Sequence, residues 1–329
     1  MSTPQCPVLR PTMREFADFE RYISQIRQLH PDSGMVKIIP PSDWQPRNDG
    51  YRRLELMVNH PVRQEIFGTA GVYELILITQ RAQTLGQYRE YAEGLTGPKD
   101  EMSDDQVEDL FWKTVRYRAP IYGADSDVET LFDAGTLWNL AELPSALKRG
   151  LDTAVLTGVV TPYLYIGAWK TMFAWHTEDL DLPAINYLHF GKPKYWYAIH
   201  PADADRFERY AVSRFPAEYS ACKQFLRHKC TLISPNILRK HGIRITKTVQ
   251  RPREFIVVFE RVYHAGFNFG YNAAEAVNFA TEEWVQIGRK AKICKCEGDN
   301  VRINMDAFEA NLHRARPISP GPKKRAKTH

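Results

Sequence analysis

The sequence predicts an α+β protein that is mainly β, with a sandwich or barrel-like β core. From Tyr122 onward, short runs of aromatic and β-branched residues alternate with Gly- and Pro-containing turns. Segments with helical spacing flank these runs. With 329 residues and 43% hydrophobic content, the chain is long enough to bury a sizeable core.

The N-terminal segment, residues 8–50, is expected to dock on this core. Thr12 and Glu15 form a capping-box pattern. They predict one helix whose apolar face carries Phe16, Phe19, Ile23 and Ile26. A short strand at 36–39 ends at Pro40, which cannot donate to a strand ladder. These elements are too few for an independent core.

The remaining elements follow in chain order. Residues 51–120 are predicted as a mixed α/β connecting region, with helices near 85–92 and 104–115. The β-barrel is assigned to 121–280 and a C-terminal helical region to 281–310. Strands are predicted at 161–167, 171–178, 184–190, 194–200, 254–259 and 275–280, and helices at 202–215 and 282–293.

Composition excludes several classes of protein. No run approaches 18 apolar residues, and the N-terminus lacks the pattern of a secretory signal, so neither a membrane span nor secretion is expected. The five cysteines are irregularly spaced, which favours a reducing compartment.

The net charge of +5 is concentrated at the C-terminus. Residues 311–329 contain six Lys or Arg and no acid, so the rest of the chain is nearly neutral. This proline-rich stretch is predicted to be a disordered basic tail. A nuclear import signal, a loose nucleic-acid contact and a solvated linker all remain open.

A His-x-carboxylate pair, His176 and Glu178, is the strongest chemical signal. On a strand, alternate side chains share a face, so both reach one metal ion. With His264 as third ligand they match the facial triad of non-haem Fe(II) oxygenases, which leaves three coordination positions open. The ligands alone also permit a zinc hydrolase.

Two further groups support metal chemistry. Lys194 is suited to pair with a dicarboxylate that chelates the iron, and Tyr122 and Asn186 are suited to add hydrogen bonds. Separately, Cys222, His228, Cys294 and Cys296 supply three sulfurs and one nitrogen for a tetrahedral zinc ion. Buried reduced cysteines are the alternative.

Several motifs together resemble a known family. Residues 161–167, 173–179, 185–191 and 263–268 resemble the JmjC domain of Jumonji histone lysine demethylases, and residues 11–16 and 36–46 resemble the JmjN segment. The combination is similar to the subfamily that acts on trimethylated lysines 9 and 36 of histone H3. The resemblance implies a double-stranded β-helix, a jelly-roll or cupin-like barrel, with flanking helices and the JmjN segment packed against it.

The resemblance also implies roles for individual residues. Fe(II) would be held by His176, Glu178 and His264, and zinc by the Cys/His set as a structural ion. Lys229 matches a family lysine near the oxygen-binding side. The cosubstrate 2-oxoglutarate would contact Tyr122, Asn186 and Lys194, with Phe173 and Trp196 lining its pocket. The methylammonium pocket would contain Gly158, Tyr163, Tyr165, Glu178 and Asn278, with Asp125 near the peptide.

One departure from the family concerns substrate choice. Where several members carry a hydroxyl-bearing pair, this chain has Ala276 and Val277 in the predicted substrate pocket. The preference between di- and trimethyllysine, and between lysine 9 and lysine 36, therefore stays open.

The expected function is that of an Fe(II)- and 2-oxoglutarate-dependent dioxygenase. It would use O2 to demethylate tri- and dimethyllysine by N-methyl hydroxylation, releasing formaldehyde, succinate and CO2. The expected partner is the histone H3 tail or nucleosome, in the nucleus, with the enzyme a monomer. A JmjC protein hydroxylase and a catalytically silent chromatin-binding module are the alternatives.

Overall fold

The structure is a computed structural model that describes residues 4–126, 129–152, 156–296 and 301–315. Its strands are β1 (Val8–Leu9), β2 (Met35–Ile38), β3 (Met57–Val58), β4 (Val62–Thr69), β5 (Val72–Thr79), β6 (Gln83–Thr84), β7 (Ile121–Ser126), β8 (Tyr163–Gly167), β9 (Met172–His176), β10 (Ala184–Gly191), β11 (Lys194–Ile199), β12 (Thr231–Ile233), β13 (Ile245–Gln250), β14 (Phe255–Val258), β15 (His264–Asn268) and β16 (Asn272–Asn278).

The helices flank these strands. They are α1 (Met13–Phe16), α2 (Phe19–Leu29), α3 (Leu85–Glu93), α4 (Asp104–Thr114), α5 (Ala146–Leu151), α6 (Ala204–Arg214), α7 (Pro216–Ala221), α8 (Pro235–Lys240), α9 (Trp284–Gly288) and α10 (Met305–Ala315), with 3₁₀ turns at Asp179–Asp181, Pro201–Asp203 and Phe225–His228. Among the described residues, no helix combines the length and apolar character needed to cross a membrane.

Two sheets form the β core. The larger has ten strands in the order β1-β2-β14-β10-β16-β8-β7-β4-β5-β12, and the smaller has four in the order β13-β11-β15-β9. Together they form the jelly-roll barrel of a mainly β protein, so the predicted fold class is confirmed. The larger sheet contains strands from the N-terminal segment, the connecting region and the barrel. The sheet therefore marks no boundary between these regions, and the predicted domain bounds stay predictions.

The N-terminal segment extends the larger sheet. β1 pairs in parallel with β2, and β2 pairs with β14. The single predicted helix is wrong, because the chain breaks between α1 and α2. Thr12 and Glu15 form the capping box of α1, and Asp18 caps α2 by accepting a hydrogen bond from the backbone N–H of Arg21.

The connecting region contains a hairpin that the sequence analysis did not identify. β4 and β5 pair along their full lengths, and β4 continues the sheet to Tyr122 on β7. The end of β5 carries the exposed residues Ile76, Leu77 and Ile78. Three consecutive exposed apolar residues lack the polar/apolar alternation that marks a half-buried strand.

The C-terminal region differs from two predictions. The helix predicted at 282–293 is only α9, which ends at Gly288, a poor helix former. The predicted disordered tail begins too early, because α10 continues to residue 315. Phe308 and Leu312, one helical turn apart, pack in a cluster with Leu147. Residues 316–329 of the predicted tail lie outside the described residues.

Candidate active site

Two paired strands place the predicted iron ligands together. His176 on β9 lies directly opposite His264 on β15. Glu178 follows β9 by two residues, and its Oε1 lies 3.7 Å from Nε2 of His176 and 3.3 Å from Nε2 of His264. One ligand atom from each residue lies within 4.8 Å of the others. The three side chains therefore converge on a single point.

The backbone orients both imidazole rings. Nδ1 of His176 lies 2.7 Å from the carbonyl oxygen of Ala174, and Nδ1 of His264 lies 3.0 Å from that of Val262. A carbonyl oxygen only accepts, so each Nδ1 carries the proton and each Nε2 offers a lone pair to a metal.

The charges of the cluster also suit a cation. Burial and the neighbouring His264 lower the pKa of His176 to about 4, so its imidazole is neutral near neutral pH. Burial opposes ionisation of Glu178, but the adjacent histidines and the charge of Lys229 hold its pKa well below the usual range. The cluster therefore offers the neutral imidazole of His176 beside the carboxylate of Glu178.

Lys194 lies in the adjacent predicted cosubstrate pocket. Its side chain is 2% exposed, and no carboxylate pairs with it among the described residues. Its Nζ donates to the hydroxyl of Tyr122 at 3.3 Å and lies 5.5 Å from the ring centroid of Phe173. Burial lowers the pKa of Lys194 to about 7. An isolated buried cation favours an anionic ligand.

A glutamine that the sequence analysis missed joins two other predicted cosubstrate residues. Gln250 accepts a hydrogen bond from Nε1 of Trp196 at 2.9 Å and donates to Oδ1 of Asn186 at 3.1 Å. The rings of Trp196 and Phe173 lie 4.7 Å apart. No sequence signal marks Gln250, because only the strand register places it opposite Lys194.

The predicted methylammonium residues lie on the neighbouring strands. Tyr163 and Tyr165 share one face of β8, and Ala276 on β16 lies opposite Tyr163. Gly158 has a φ of +76°, and a Cβ there would lie 2.1 Å from the ring of Tyr163. Only glycine fits this position.

Two further residues border this group. The backbone N–H of Asn278 donates to the carbonyl oxygen of Val159, which fixes the turn that contains Gly158. Asp125 has a φ of 50°. Burial, with the charge of Asp125, raises the pKa of Tyr165 well above its usual value, so the tyrosine stays protonated.

Val277 does not belong to this group. It lies opposite Ile185 on β10 and packs in the hydrophobic cluster with Ile185 and Phe279. Its side chain is therefore on the face opposite to Ala276, because successive side chains of a strand alternate. The prediction that Val277 contributes to the substrate pocket is wrong.

The 3₁₀ turn Phe225–His228 and Lys229, the residue after it, contact the Glu178 loop. Lys229 has a left-handed φ of 58°. Its side chain is exposed overall. Partial desolvation of the amine opposes its charge, but the nearby Glu178, Asp125 and Asp179 raise its pKa. Arg227, another residue that the sequence analysis missed, donates to the carbonyl oxygen of Glu178 at 2.6 Å and to Asp181 at 2.7 Å.

The four predicted zinc ligands also lie together. Sγ of Cys294 lies 3.6 Å from Sγ of Cys222 and 3.3 Å from Nε2 of His228, which lies 3.6 Å from Sγ of Cys296. Tetrahedral zinc with sulfur ligands separates its ligand atoms by about 3.5–3.8 Å. Burial opposes ionisation of the Cys294 thiol, but hydrogen bonds from Cys296 and His228 lower its pKa to about 7. The geometry fits a four-coordinate ion.

Two family models match the chain. The model described as "JmjC domain, hydroxylase" matches residues 163–279. The model described as "jmjN domain" matches residues 7–40. The first match contains the three convergent ligands, and the second contains β1, α1, α2 and β2.

Named relatives are similar over most of the chain. Lysine-specific demethylase 4B of Mus musculus is 44% identical over 313 residues, which are 93% of this chain and 29% of the relative. Lysine-specific demethylase 4D of Rattus norvegicus is 43% identical over 314 residues, 93% of this chain and 61% of the relative. Probable lysine-specific demethylase 4F of Homo sapiens is 42% identical over 304 residues, 91% of this chain and 47% of the relative. The chain thus spans less than two thirds of each relative's length.

Proposed function

The chain belongs to the JmjC family and carries a JmjN segment, and we propose on this premise that it is a histone lysine demethylase. It acts on tri- and dimethyllysine of the histone H3 tail, at lysine 9 or lysine 36, with Fe(II) and 2-oxoglutarate. The observation that carries the proposal is the buried Lys194, for which the described part of the chain offers no carboxylate, beside three convergent side chains that could hold a metal ion.

The residues fit both groups. Two neutral imidazoles and one carboxylate suit Fe(II) and leave three positions open. Lys194 lacks an anionic partner among the described residues, and the distal carboxylate of 2-oxoglutarate supplies one. When bound, iron and its cosubstrate supply the oxidising power that hydroxylates an N-methyl carbon.

The side chains around the metal perform the other tasks. Tyr122 and Asn186 donate hydrogen bonds to the distal carboxylate, while the rings of Phe173 and Trp196 exclude water from the pocket. The oxygens of Tyr163, Tyr165 and Asn278 contact the polarised N-methyl groups of the substrate. Lys229 places a positive charge on the side of the Glu178 carboxylate. Asp125 lies near the peptide.

The second cluster is proposed as a structural zinc site. Four protein ligands close the coordination sphere and leave no position for a substrate. The ion joins Cys222, which precedes the 3₁₀ turn, and His228, the last residue of that turn, to Cys294 and Cys296 after α9.

The proposed location is the nucleus, because the proposed substrate is a histone.

The test is mass spectrometry of histone H3 peptides trimethylated at lysine 9 or lysine 36. Each peptide is incubated with the protein, Fe(II), 2-oxoglutarate and O2. Loss of methyl groups with matching formaldehyde and succinate is expected. A stable gain of one oxygen atom would identify a protein hydroxylase instead. Peptide binding without turnover would identify a silent chromatin-binding module.

A further inference from the structure

We infer that Gln250 is a positioning residue that fixes the side-chain amide of Asn186, so that its NH2 group faces the 2-oxoglutarate carboxylate. This inference rests on the function proposed above. Gln250 lies on β13, opposite Lys194 on β11, and its side chain is fully buried at 0% exposure. It connects the smaller sheet to Asn186 on β10 of the larger sheet.

The amide of Gln250 has only one satisfactory orientation. Its Oε1 lies 2.9 Å from Nε1 of Trp196, and an indole nitrogen only donates. Its Nε2 lies 3.0 Å from the carbonyl oxygen of Glu254 and 3.2 Å from that of Asn186, and carbonyl oxygens only accept. Reversing the amide would set donor against donor and acceptor against acceptor in a buried site.

This orientation determines the orientation of Asn186. Nε2 of Gln250 lies 3.1 Å from the side-chain atom Oδ1 of Asn186. Since Nε2 donates, the atom facing it must be an oxygen. The Nδ2 group of Asn186 therefore points away from Gln250, and within the described ranges it donates to no protein group.

The fixed orientation selects the charge of the ligand. A carboxylate only accepts hydrogen bonds, so it binds the NH2 end of Asn186 and is repelled by the oxygen end. Lys194 attracts the same carboxylate through its positive charge. Gln250 thus acts on 2-oxoglutarate without touching it, by preventing the Asn186 amide from turning over.

A purely structural role for Gln250 makes a different prediction. If Gln250 were only a brace between the two sheets, its removal would lower the melting temperature to the same extent with and without Asn186. A positioning residue loses its effect on the ligand once Asn186 is removed. A double-mutant cycle separates the two roles, because it measures the interaction between two side chains.

The experiment measures 2-oxoglutarate binding by calorimetry under anaerobic conditions with Fe(II)-loaded protein, so that no turnover occurs. Gln250→Leu is expected to weaken binding about tenfold, as for loss of a hydrogen bond to a charged group. In an Asn186→Ala background the same substitution is expected to change binding by less than about twofold. Fe(II) affinity is expected to stay unchanged.

Gln250→Glu keeps the shape of the side chain, so the test does not depend on the leucine variant folding. The carboxylate still accepts from Trp196 but does not donate to Asn186, so the Asn186 amide turns over. A loss of about tenfold or more is expected.

The outcomes separate the inference from the function. If the wild type binds no 2-oxoglutarate, the proposed function is overturned and this inference with it. If the wild type binds 2-oxoglutarate and both Gln250 variants bind it as tightly as the wild type, the inference alone is overturned. If Gln250→Leu weakens 2-oxoglutarate binding equally in the wild-type and Asn186→Ala backgrounds, Gln250 is only a brace between the sheets. That result also overturns the inference.

Discussion

The two ligand clusters of this molecule are built on different supports. His176 and His264 are 5% and 3% exposed and lie opposite each other on paired strands of the smaller sheet. His228 and Cys296 are exposed, and their cluster joins a 3₁₀ turn to an irregular segment after α9. One cluster is positioned by the fold, whereas the other joins parts of the fold.

This difference indicates what each of the two proposed ions would contribute. Strand pairing and backbone acceptors hold the three-ligand cluster in place, so its ion is free to serve chemistry in the open positions. Cys294 and Cys296 belong to no helix or strand, so a closed four-ligand ion there would serve stability. We expect the loss of each ion to have a different measurable effect.

Removal of zinc is the change with the largest expected effect on the fold. Cys294→Ala, or a chelator, is expected to lower the melting temperature by about 5–10 °C, because a structural zinc ion contributes folding free energy. Calorimetry measures this. Cys230→Ala is the matched control, since Cys230 lies outside the cluster. Equal melting temperatures for Cys294→Ala and wild type would refute the structural role.

Arg227 tests whether the two clusters are separate. It precedes the proposed zinc ligand His228 and holds the backbone of the proposed iron ligand Glu178 through a 2.6 Å hydrogen bond. Arg227→Leu is expected to weaken Fe(II) binding about 10- to 100-fold, as for other outer-shell partners of metal ligands. Calorimetric Fe(II) titration measures it.

The control for this variant is Arg261→Leu, which removes an exposed ion pair with Asp205. It is expected to leave Fe(II) affinity unchanged. Should Arg227→Leu bind Fe(II) as tightly as the wild type, the two clusters would be independent.

Lys194 gives the three-ligand site a pH dependence. Because burial lowers its pKa from 10.5 to about 7, Lys194 is charged below that pH and becomes neutral above it. An anion binds the charged form and raises this pKa. The 2-oxoglutarate affinity is therefore expected to be constant below about pH 7 and to fall about tenfold per pH unit above it.

Calorimetry across pH measures this dependence. Lys194→Arg is the control, because a guanidinium stays protonated and removes the slope above neutral pH. The amine of Lys194 becomes neutral above about pH 7. A 2-oxoglutarate affinity of the wild type that stays flat above this pH would therefore contradict the pairing of Lys194 with the ligand.

Much of the core and both ligand clusters could be predicted from the sequence. His176 and Glu178 have the two-residue spacing of a strand, although β9 ends at His176 and Glu178 follows it in extended backbone. The break between α1 and α2 was missed because Asp18 is a cap inside a continuous apolar pattern. Gln250 could not be found, because its role depends on contacts between two sheets.

The position of Val277 follows from strand alternation. Ala276 and Asn278 share a face, so Val277 must point the other way. This leads to the prediction with the smallest effect. Ala276→Ser adds a hydroxyl beside Tyr163 and is expected to change the ratio of tri- to dimethyllysine turnover about two- to tenfold.

Val277→Thr is the matched variant on the opposite face. It buries a hydroxyl in an apolar cluster, so it is expected to lower the melting temperature without changing that ratio. Peptide mass spectrometry measures the ratio for both variants. An unchanged ratio for Ala276→Ser, with a change for Val277→Thr, would reverse the assignment of faces.

The most direct test of the catalytic role of the three-ligand cluster is formaldehyde release by His176→Ala. The assay uses trimethylated histone H3 peptide with saturating Fe(II) and 2-oxoglutarate, and melting curves are recorded in parallel. We expect no formaldehyde from the variant, with the zinc content and melting temperature of the wild type. Formaldehyde release at the wild-type rate would contradict it.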